Sequence, residues 1–340
     1  MAAVSEAEHR LCAVGAEEDV GALRRMVARM AAGQPGLRPG VAELVATELG
    51  TNLVRHADKG GYVLARRAGD GIELISVDRG PGMPAGALAR DVDTATPPAR
   101  GGGLSAGLNV VRRHAAEFDS YSTRRGTVVY ARLGTADPRV AGRWRYGAVN
   151  VPCGGDGESG DAWAVAPDGR LAAVVVDGLG HGPAAAVAAR AAVTAFGHGP
   201  VTDLDTLVKR AHEAMRSTRG GVLGACLIDP GRGELSYAAV GNITGRVLTG
   251  GRTVHLLDRP GTLGTHLRLP TTRPQHCPWE PGTTLILASD GIRSGWELEE
   301  HPRLLEHHPS VVAAVLHRDH GRSTDDATVL VVRGTPEAAS

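Results

Sequence analysis

The sequence predicts two α+β domains, and three observations lead to that prediction. Its 340 residues are enough for two domains that each bury their own core. Helical apolar spacing is clearest in the first part of the chain, whereas short strand-like runs dominate beyond residue 146. Between them, residues 134–142 include Thr135-Ala136-Asp137-Pro138 and lose apolar periodicity, which marks a boundary. We therefore expect domains at residues 10–134 and 140–334.

The first domain is predicted to alternate helices with strands. Apolar residues recur at helical spacing after Glu17, and the Pro- and Gly-containing stretch Pro35–Gly40 ends that helix. The predicted helices are Glu17–Ala31, Val41–His56 and Leu104–Glu117, and the predicted strands are Tyr62–Arg67, Ile72–Asp78 and Thr127–Leu133.

The second domain is predicted to consist mainly of strands. Two Ala- and Val-containing stretches, Pro183–Phe196 and Asp203–Arg216, have helical character. Eight short apolar runs bounded by turn residues predict strands. These runs are Tyr146–Val151, Trp163–Ala166, Leu171–Val176, Val222–Ile228, Leu235–Val240, Gly245–Leu248, Thr284–Leu287 and Val329–Val332.

Composition narrows the class of protein. The formal net charge is zero, which gives no reason to expect nucleic acid or an anionic membrane as a partner. The longest apolar runs are too short to span a bilayer, and Met1–Arg10 has no apolar segment typical of a signal peptide. The four cysteines are scattered without a Cys-x-x-Cys pair, which indicates neither a zinc site nor a disulfide framework. These features predict a cytoplasmic enzyme.

Four aspartates occupy similar positions at the ends of predicted strands in the second domain. Asp177 begins the motif Asp177-Gly178-Leu179-Gly180-His181-Gly182 directly after a buried strand. Asp161 and Asp290 also lie next to glycine, and Asp325 precedes the last strand. Any one of them is compatible with an ordinary Asp-Gly turn. All four together favour an all-oxygen site for Mg²⁺ or Mn²⁺.

In this order and context the aspartates resemble those of the metal-dependent (PPM) serine/threonine protein phosphatases of the SpoIIE and RsbX type. The resemblance covers about residues 140–333, and Gly241-Asn242 and residues 261–264 add to it. It implies a β-sandwich flanked by helices, with two ions about 3.5–4 Å apart that activate water for in-line attack on phosphorus. It further implies that Asp177 is catalytic and bridges the ions, and that the other ligands are the Gly178 carbonyl, Asp161, Asp290 and Asp325.

Two further residues of these motifs are not among the implied metal ligands. His181 fits the Asp-Gly-x-Gly-His-Gly pattern typical of the SpoIIE branch. It is either a proton donor to the leaving serine oxygen or a structural turn residue, and the pattern leaves both open. Asp326 follows Asp325, and the resemblance makes it a neighbour of the metal site rather than a ligand.

Three motifs in the first domain have the character of a nucleotide site. Glu48 and Asn52 are four residues apart and therefore share one face of the helix Val41–His56. The segment Asp78-Arg79-Gly80-Pro81-Gly82-Met83 follows a strand, and a cluster of glycines opens the next helix. Backbone N–H groups at such a helix start bind phosphate. Taken singly, each motif also has a plain structural explanation. The Glu48 and Asn52 pair is compatible with a helix end that turns outward, the Asp78 segment with an ordinary turn, and the glycine cluster with a flexible loop.

Together and in this order, the three motifs resemble the Bergerat-fold (GHKL) superfamily, and within it the small anti-sigma-factor serine kinases of the RsbT and RsbW kind. The resemblance covers about residues 10–133 and implies an α/β sandwich that binds ATP with Mg²⁺. Glu48 would be the general base for a substrate serine and Asn52 the Mg²⁺ ligand. The other residues implied by the resemblance contact the nucleotide: Asp78, Gly80, Gly82 and Thr127 around adenine, and Gly101, Gly102, Gly103 and Gly107 around the phosphates.

The two resemblances lead to three hypotheses. The first is a bifunctional regulator of a sigma factor in a partner-switching pathway. In it, one half phosphorylates a serine on a STAS-type anti-anti-sigma or stressosome protein and the other half removes that phosphate. The second is a phosphatase whose N-terminal half only senses nucleotide or docks a partner. The intact Glu48 favours the first, and Pro97 and Pro98 near the glycine cluster favour the second. The third is a scaffold with a vestigial metal site, which the four retained aspartates argue against.

Overall fold

The computed structural model describes residues 8–83, 104–135, 143–199, 201, 203–266 and 272–335. The chain divides into two compact units, His9–Asp137 and Pro138–Ser340. In the described part of the chain, no helix has both the length and the apolar character needed to cross a membrane.

The N-terminal unit is one antiparallel sheet with helices on one face. The strand order is β1-β2-β3-β5-β4. The elements, in chain order, are β1 Arg10–Val14, α1 Glu17–Ala31, α2 Val41–His56, β2 Gly61–Ala68, β3 Gly71–Asp78, α3 Leu104–His114, β4 Glu117–Thr123 and β5 Gly126–Leu133.

The core of this unit forms where alternate strand residues meet the helices. Val63 and Leu74 point from neighbouring strands toward Leu23 of α1 and Leu49 of α2, and all four side chains are fully buried. The two-residue period of the strands puts every second residue on this face. Helices α1 and α2 match their predicted bounds because their apolar stripes have a clear helical period.

The prediction for this unit was wrong at two places. Helix α3 ends at His114 rather than at residue 117, and the edge strand β4 follows it. The sequence of β4, Glu-Phe-Asp-Ser-Tyr-Ser-Thr, carries only two large apolar residues, so its strand character comes from pairing with β5. Strand β1 was not predicted either; it has only five residues and lies at the other edge of the sheet.

The C-terminal unit contains two five-stranded antiparallel sheets. Their strand orders are β13-β10-β9-β8-β7 and β12-β11-β14-β15-β6. The strands are β6 Trp144–Val151, β7 Asp161–Asp168, β8 Arg170–Gly178, β9 Gly221–Asp229, β10 Glu234–Val240, β11 Thr244–Thr249, β12 Arg252–Leu256, β13 Gln275–Pro278, β14 Thr284–Ala288 and β15 Ala327–Gly334. The helices are α4 Pro183–Gly197, α5 Leu204–Met215 and α6 Pro309–His320.

The two sheets pack face to face with helices outside them. Trp163 and Val175 of the first sheet share a buried cluster with Leu285 and Leu330 of the second. Helices α4 and α5 cover the outer face of the first sheet, and α6 contacts β6 and β15 of the second. The predicted α+β class, with a β-sandwich flanked by helices, is therefore confirmed.

Helix α6 was missed because its sequence lacks an amphipathic period. Nine of its twelve residues are buried, so apolar and polar residues do not alternate at helical spacing. Strands β12 and β13 were also missed. They are short edge strands of five and four residues, for which periodicity gives little signal.

Candidate metal centre and nucleotide site

The first two aspartates of the C-terminal unit lie opposite each other on neighbouring strands. Asp161 opens β7, Asp177 lies near the end of β8, and the antiparallel register pairs the two residues directly. Asp161 lies two residues before Trp163, and Asp177 lies two residues after Val175. Because alternate strand residues point to the same face, both aspartates share the face on which Trp163 and Val175 form the core between the sheets. The two carboxylates therefore extend the inner face of the sandwich at one end.

Asp161 is held from the second sheet. Its side chain is almost completely buried, and its Oδ2 accepts a hydrogen bond of 2.6 Å from the Ser289 hydroxyl. Asn150 of β6 donates from Nδ2 to the Asp161 carbonyl oxygen at 3.1 Å. Both contacts cross between the sheets, so the position of this carboxylate is fixed by the packing of the whole sandwich.

The other two predicted ligands lie on loops of the second sheet. Asp290 follows β14, and Asn242 donates from Nδ2 to its Oδ2 at 2.8 Å. Asp325 is half-buried just before β15. Its neighbour Asp326 is buried and forms structural hydrogen bonds instead. Its two carboxylate oxygens accept backbone N–H groups of Cys153 and Gly160 at 2.8 and 2.9 Å, which ties two loops to β15.

These carboxylates carry like charges and repel one another. Burial, and then repulsion from Asp161, Asp290 and Asp325, raises the pKa of Asp177 well above its ordinary value. Burial also raises the pKa of Asp161, with Asp326 and Asp290 adding to the effect. The pKa of Asp325 is raised by burial and by Asp290. Carboxylates brought together in this way are stabilised as anions only by positive charge.

Divalent cations fit this donor set. Oxygen ligands are the ones that Mg²⁺ and Mn²⁺ prefer, and clustered carboxylates supply the charge. Among the described residues, no group of three acidic, histidine or cysteine side chains stands close enough together to hold a metal ion. A shell here would combine the carboxylates with other oxygens, such as the Gly178 carbonyl and water.

The turn after Asp177 is closely packed. A methyl group on Gly178 would lie 2.2 Å from the Ala185 carbonyl oxygen, so only glycine lets α4 begin this near the end of β8. Leu179 donates its backbone N–H to the Gly220 carbonyl at 3.0 Å, which joins this turn to the start of β9. His181 lies exposed on the same turn.

A concave site in the N-terminal unit brings together some of the nucleotide residues predicted there. It is an open concavity lined by residues of α2, α3, β3 and β5. Its apolar lining includes Leu49, Leu53, Leu108 and Val129. Four of the predicted residues also line it, namely Asn52, Asp78, Gly82 and Thr127.

Asp78 organises one end of this cavity. Its Oδ1 accepts the backbone N–H groups of Gly80 at 2.8 Å and Thr127 at 3.1 Å. The Thr127 hydroxyl shares a hydrogen bond of 3.0 Å with Ser122, whose oxygen also accepts the Met83 N–H at 2.7 Å. Asp78, the following turn and the start of β5 thus form one hydrogen-bonded unit.

Glu48, Asn52 and Gly107 meet beside the same cavity. A methyl group on Gly107 of α3 would lie 2.7 Å from Glu48 Oε2 and 3.4 Å from Asn52 Oδ1. The Asn52 Nδ2 is buried and has no hydrogen-bond partner among the described residues. Helix α3 therefore crosses α2 at a glycine, directly over the predicted base and the predicted Mg²⁺ ligand. Gly101, Gly102 and Gly103 lie outside the described residues, as do Pro97 and Pro98.

Family models match both units. Residues 167–335 match the model described as Stage II sporulation protein E (SpoIIE), and residues 14–133 match the model described as Histidine kinase-like ATPase domain. The chain joins a histidine kinase-like ATPase domain to a SpoIIE-type PPM phosphatase domain. Both resemblances seen in the sequence are thereby confirmed. Asp161 precedes the matched part of the SpoIIE-type domain, whereas Asp177, Asp290 and Asp325 lie within it.

Solved structures share the fold of the SpoIIE-type domain. A structure described as "The bacterial stressosome: a modular system that has been adapted to control secondary messenger signaling" is 29% identical, with a TM-score of 0.52, over 56% of this chain and 100% of that one. RsbX in complex with magnesium is 20% identical, with a TM-score of 0.50, over 56% of this chain and 96% of that one. No curated protein shows a significant match to the chain.

Sequence reasoning did not assign Ser289, Asn242 or Asn150 to the site of the SpoIIE-type domain. Asn242 had a signal, because Gly241-Asn242 is part of the resemblance, but nothing in the sequence joins it to Asp290. Ser289 directly precedes a predicted ligand and could have been considered on that ground. Its partner Asp161 is 128 residues away, so only the packing of the two sheets brings them together.

Proposed function

We propose that this chain is a regulator of a partner-switching pathway and that residues 140–334 hydrolyse phosphoserine and phosphothreonine in a protein substrate. The observation that supports this most directly is the register pairing of Asp161 with Asp177, with Asp290 and Asp325 close enough to raise the pKa of Asp177. Mutually repelling carboxylates that are buried or half-buried fit divalent cations. RsbX, which shares the fold, is described in complex with magnesium.

The proposed ligands are Asp161, Asp177, the Gly178 carbonyl, Asp290 and Asp325, with Asp177 shared between two ions. When bound, two Mn²⁺ or Mg²⁺ ions neutralise the phosphoryl oxygens and activate the attacking water. The chain's own residues hold the carboxylates in position. Ser289 orients Asp161, and Asn242 orients Asp290. Asp326 fixes the loop that carries Gly160, next to Asp161.

Hydrolysis of a phosphoserine peptide by the full chain tests this proposal. We expect turnover with Mn²⁺, loss of turnover with a chelator, and loss of turnover in Asp177→Asn. The matched control is Asp156→Asn, because Asp156 is an exposed aspartate whose Oδ1 accepts only the neighbouring Gly157 N–H among the hydrogen bonds described. Turnover that persists in Asp177→Asn, or that ignores the chelator, would contradict the proposal.

For residues 10–134 we propose ATP binding and transfer of phosphate to a serine of a STAS-type partner. The convergence of Glu48, Asn52 and Gly107 beside a cavity organised by Asp78 supports this. The Glu48 carboxylate would take the serine proton, and Asn52 would hold the Mg²⁺ of the nucleotide. The Asp78 carboxylate would accept the adenine amino group, with Thr127 beside it. Phosphoryl transfer depends mainly on such positioning and charge neutralisation.

A labelling experiment separates the kinase from a domain that only senses nucleotide. The Asp177→Asn chain is incubated with labelled ATP, Mg²⁺ and a STAS-domain protein from the same cell, so that hydrolysis does not remove the label. We expect label on a serine of the STAS protein and its loss when Glu48→Ala is added. Binding of ATP without transfer would contradict the kinase and support nucleotide sensing.

A further inference from the structure

An arginine beside the turn that follows Asp177 supports no other part of the structure among the described contacts. Arg219 lies between α5 and β9 and is exposed. A methyl group on Gly180 would lie 3.4 Å from Arg219 Nη1, so the guanidinium rests against the turn that follows Asp177. Resting on the proposed phosphatase activity, we infer that Arg219 binds the phosphoryl oxygens of the substrate.

The backbone on both sides of Arg219 is fixed. The Thr218 hydroxyl donates to the Met215 carbonyl at 2.7 Å and accepts the Gly220 N–H at 3.0 Å. Gly220 has a φ of +79°, and a methyl group there would lie 2.3 Å from the Leu263 carbonyl oxygen. Its own carbonyl accepts the Leu179 N–H at 3.0 Å. The side chain of Arg219 is therefore presented to the turn by a rigid support.

Two other arginines of the C-terminal unit, Arg190 and Arg293, are already engaged. Arg190 pairs with Glu158 at 2.8 Å, and Arg293 donates to the Asp319 carbonyl at 3.0 Å. Arg322 places its charge near Asp325, whose pKa it lowers against the larger raising effect of burial. In the part of the chain that the structure describes, no carboxylate and no carbonyl oxygen is hydrogen-bonded to Arg219.

A guanidinium in this place suits a phosphate ester. Its planar N–H groups bind two phosphate oxygens at once, which a lysine does not do. A guanidinium that only supported the turn would donate to backbone oxygens, as Arg210 does to the His198 carbonyl. Bound cations would reduce the negative potential of the aspartates, which leaves the guanidinium available for the phosphoryl group rather than for a carboxylate.

Inhibition by inorganic phosphate tests the inference. The assay follows hydrolysis of para-nitrophenyl phosphate by the full chain in Mn²⁺, with inorganic phosphate added as a competitor. We expect Arg219→Ala to weaken this inhibition about tenfold and to raise KM, because a charge-assisted contact is lost. The Mn²⁺ concentration for half-maximal activity should not change. Arg219→Lys should recover part of the effect, since it restores the charge without the planar fork.

Arg216→Ala is the matched control. Arg216 is exposed in the same turn but pairs with Glu213 at 3.3 Å, so both constants should stay at the wild-type value. Wild-type inhibition and KM in Arg219→Ala would overturn the inference, while turnover itself leaves the proposed function intact. If the wild-type chain shows no turnover, the proposed function is contradicted. Calorimetric binding of inorganic phosphate to the Mn²⁺-treated chain then decides the role of Arg219 separately.

Discussion

The hydroxyl of Ser289 joins the two sheets of the C-terminal unit at the carboxylate cluster. It donates to Asp161 Oδ2 at 2.6 Å and accepts the Thr328 N–H at 2.9 Å, and the Ser289 side chain is fully buried. Ser289 thus orients one proposed metal ligand, Asp161, and directly precedes another, Asp290. The hydrogen bond links the strand that begins with Asp161 to the loop that carries Asp290.

Replacement of Ser289 by alanine should impair both folding stability and metal binding. Without the hydroxyl, Asp161 loses the contact that orients it, and the Thr328 N–H loses its acceptor. We expect Ser289→Ala to lower the free energy of unfolding by about 1–3 kcal/mol. The Mn²⁺ concentration for half-maximal phosphatase activity should rise about tenfold. Ser294→Ala, which alters an exposed residue of the next loop, should change neither value.

Asn242 should act on the second loop of the site in the same way. Its amide donates to Asp290 Oδ2 at 2.8 Å, which restricts the orientation of that carboxylate. Asn242→Ala should weaken Mn²⁺ binding about tenfold, measured by calorimetry, because a residue that hydrogen-bonds a metal ligand fixes the orientation of that ligand. Asn242→Asp should weaken it further or abolish turnover by adding a like charge beside Asp290. Unchanged Mn²⁺ affinity in both variants would show that Asp290 needs no such support.

Gly107 should be essential for nucleotide binding. In Gly107→Ala the new methyl group would lie 2.7 Å from Glu48 Oε2, which forces the carboxylate or helix α3 to move. We expect the affinity for ATP with Mg²⁺ to fall at least tenfold by calorimetry, with little change in helical content. Gly21→Ala is the control within a helix, because its methyl group would meet only the flexible end of Arg25 at 3.4 Å. Equal ATP affinities in the two variants would contradict the proposed site.

A buried ion network should make the N-terminal unit sensitive to acid. His9 Nε2 and Arg66 Nε lie 2.9 and 2.8 Å from Glu73 Oε1, and all three side chains are buried. Burial alone would raise the pKa of Glu73, but Arg66 and His9 hold it far below its usual range. A depressed carboxylate pKa stabilises the fold above the unfolded pKa of about 4.3 and loses that contribution as the pH falls below it.

Glu73→Gln should therefore destabilise the chain by about 3–5 kcal/mol near neutral pH, since Arg66 loses this carboxylate in a buried place. Denaturant unfolding followed between about pH 6 and pH 3 should show a shallower decline for the variant than for the wild type. The double variant Glu73→Gln/Arg66→Met should recover part of the loss. Parallel declines in wild type and Glu73→Gln would show that Glu73 does not titrate with folding.

Most of the fold could be predicted from the sequence wherever the sequence has a strong pattern. Helices α1 and α2 and the strands around Asp161 and Asp177 were predicted because amphipathic periods and apolar runs are local signals. Helix α6 and the edge strands β4 and β13 were missed because their apolar residues follow no period. Their conformations are determined by burial and by pairing with neighbouring strands.

For the site, the sequence indicated residue types but not their relations. The four aspartates and the Asp78 turn are visible as motifs, since glycine neighbours and strand ends mark them. The contacts of Ser289 with Asp161 and of Asn242 with Asp290 span 128 and 48 residues. Such pairs depend on the register and packing of the two sheets, and the single sequence contains no local trace of them. The same holds for Arg219, which becomes notable only beside Gly180.

The metal content of the C-terminal unit tests the central claim most directly. Wild-type and Asp177→Asn chains would be equilibrated with Mn²⁺, and the bound ions would be counted by calorimetry and elemental analysis. We predict two ions per wild-type chain and loss of at least one in Asp177→Asn, with Asp156→Asn unchanged. Two ions retained in Asp177→Asn, or none bound by the wild type, would contradict a metal-dependent phosphatase centred on Asp177.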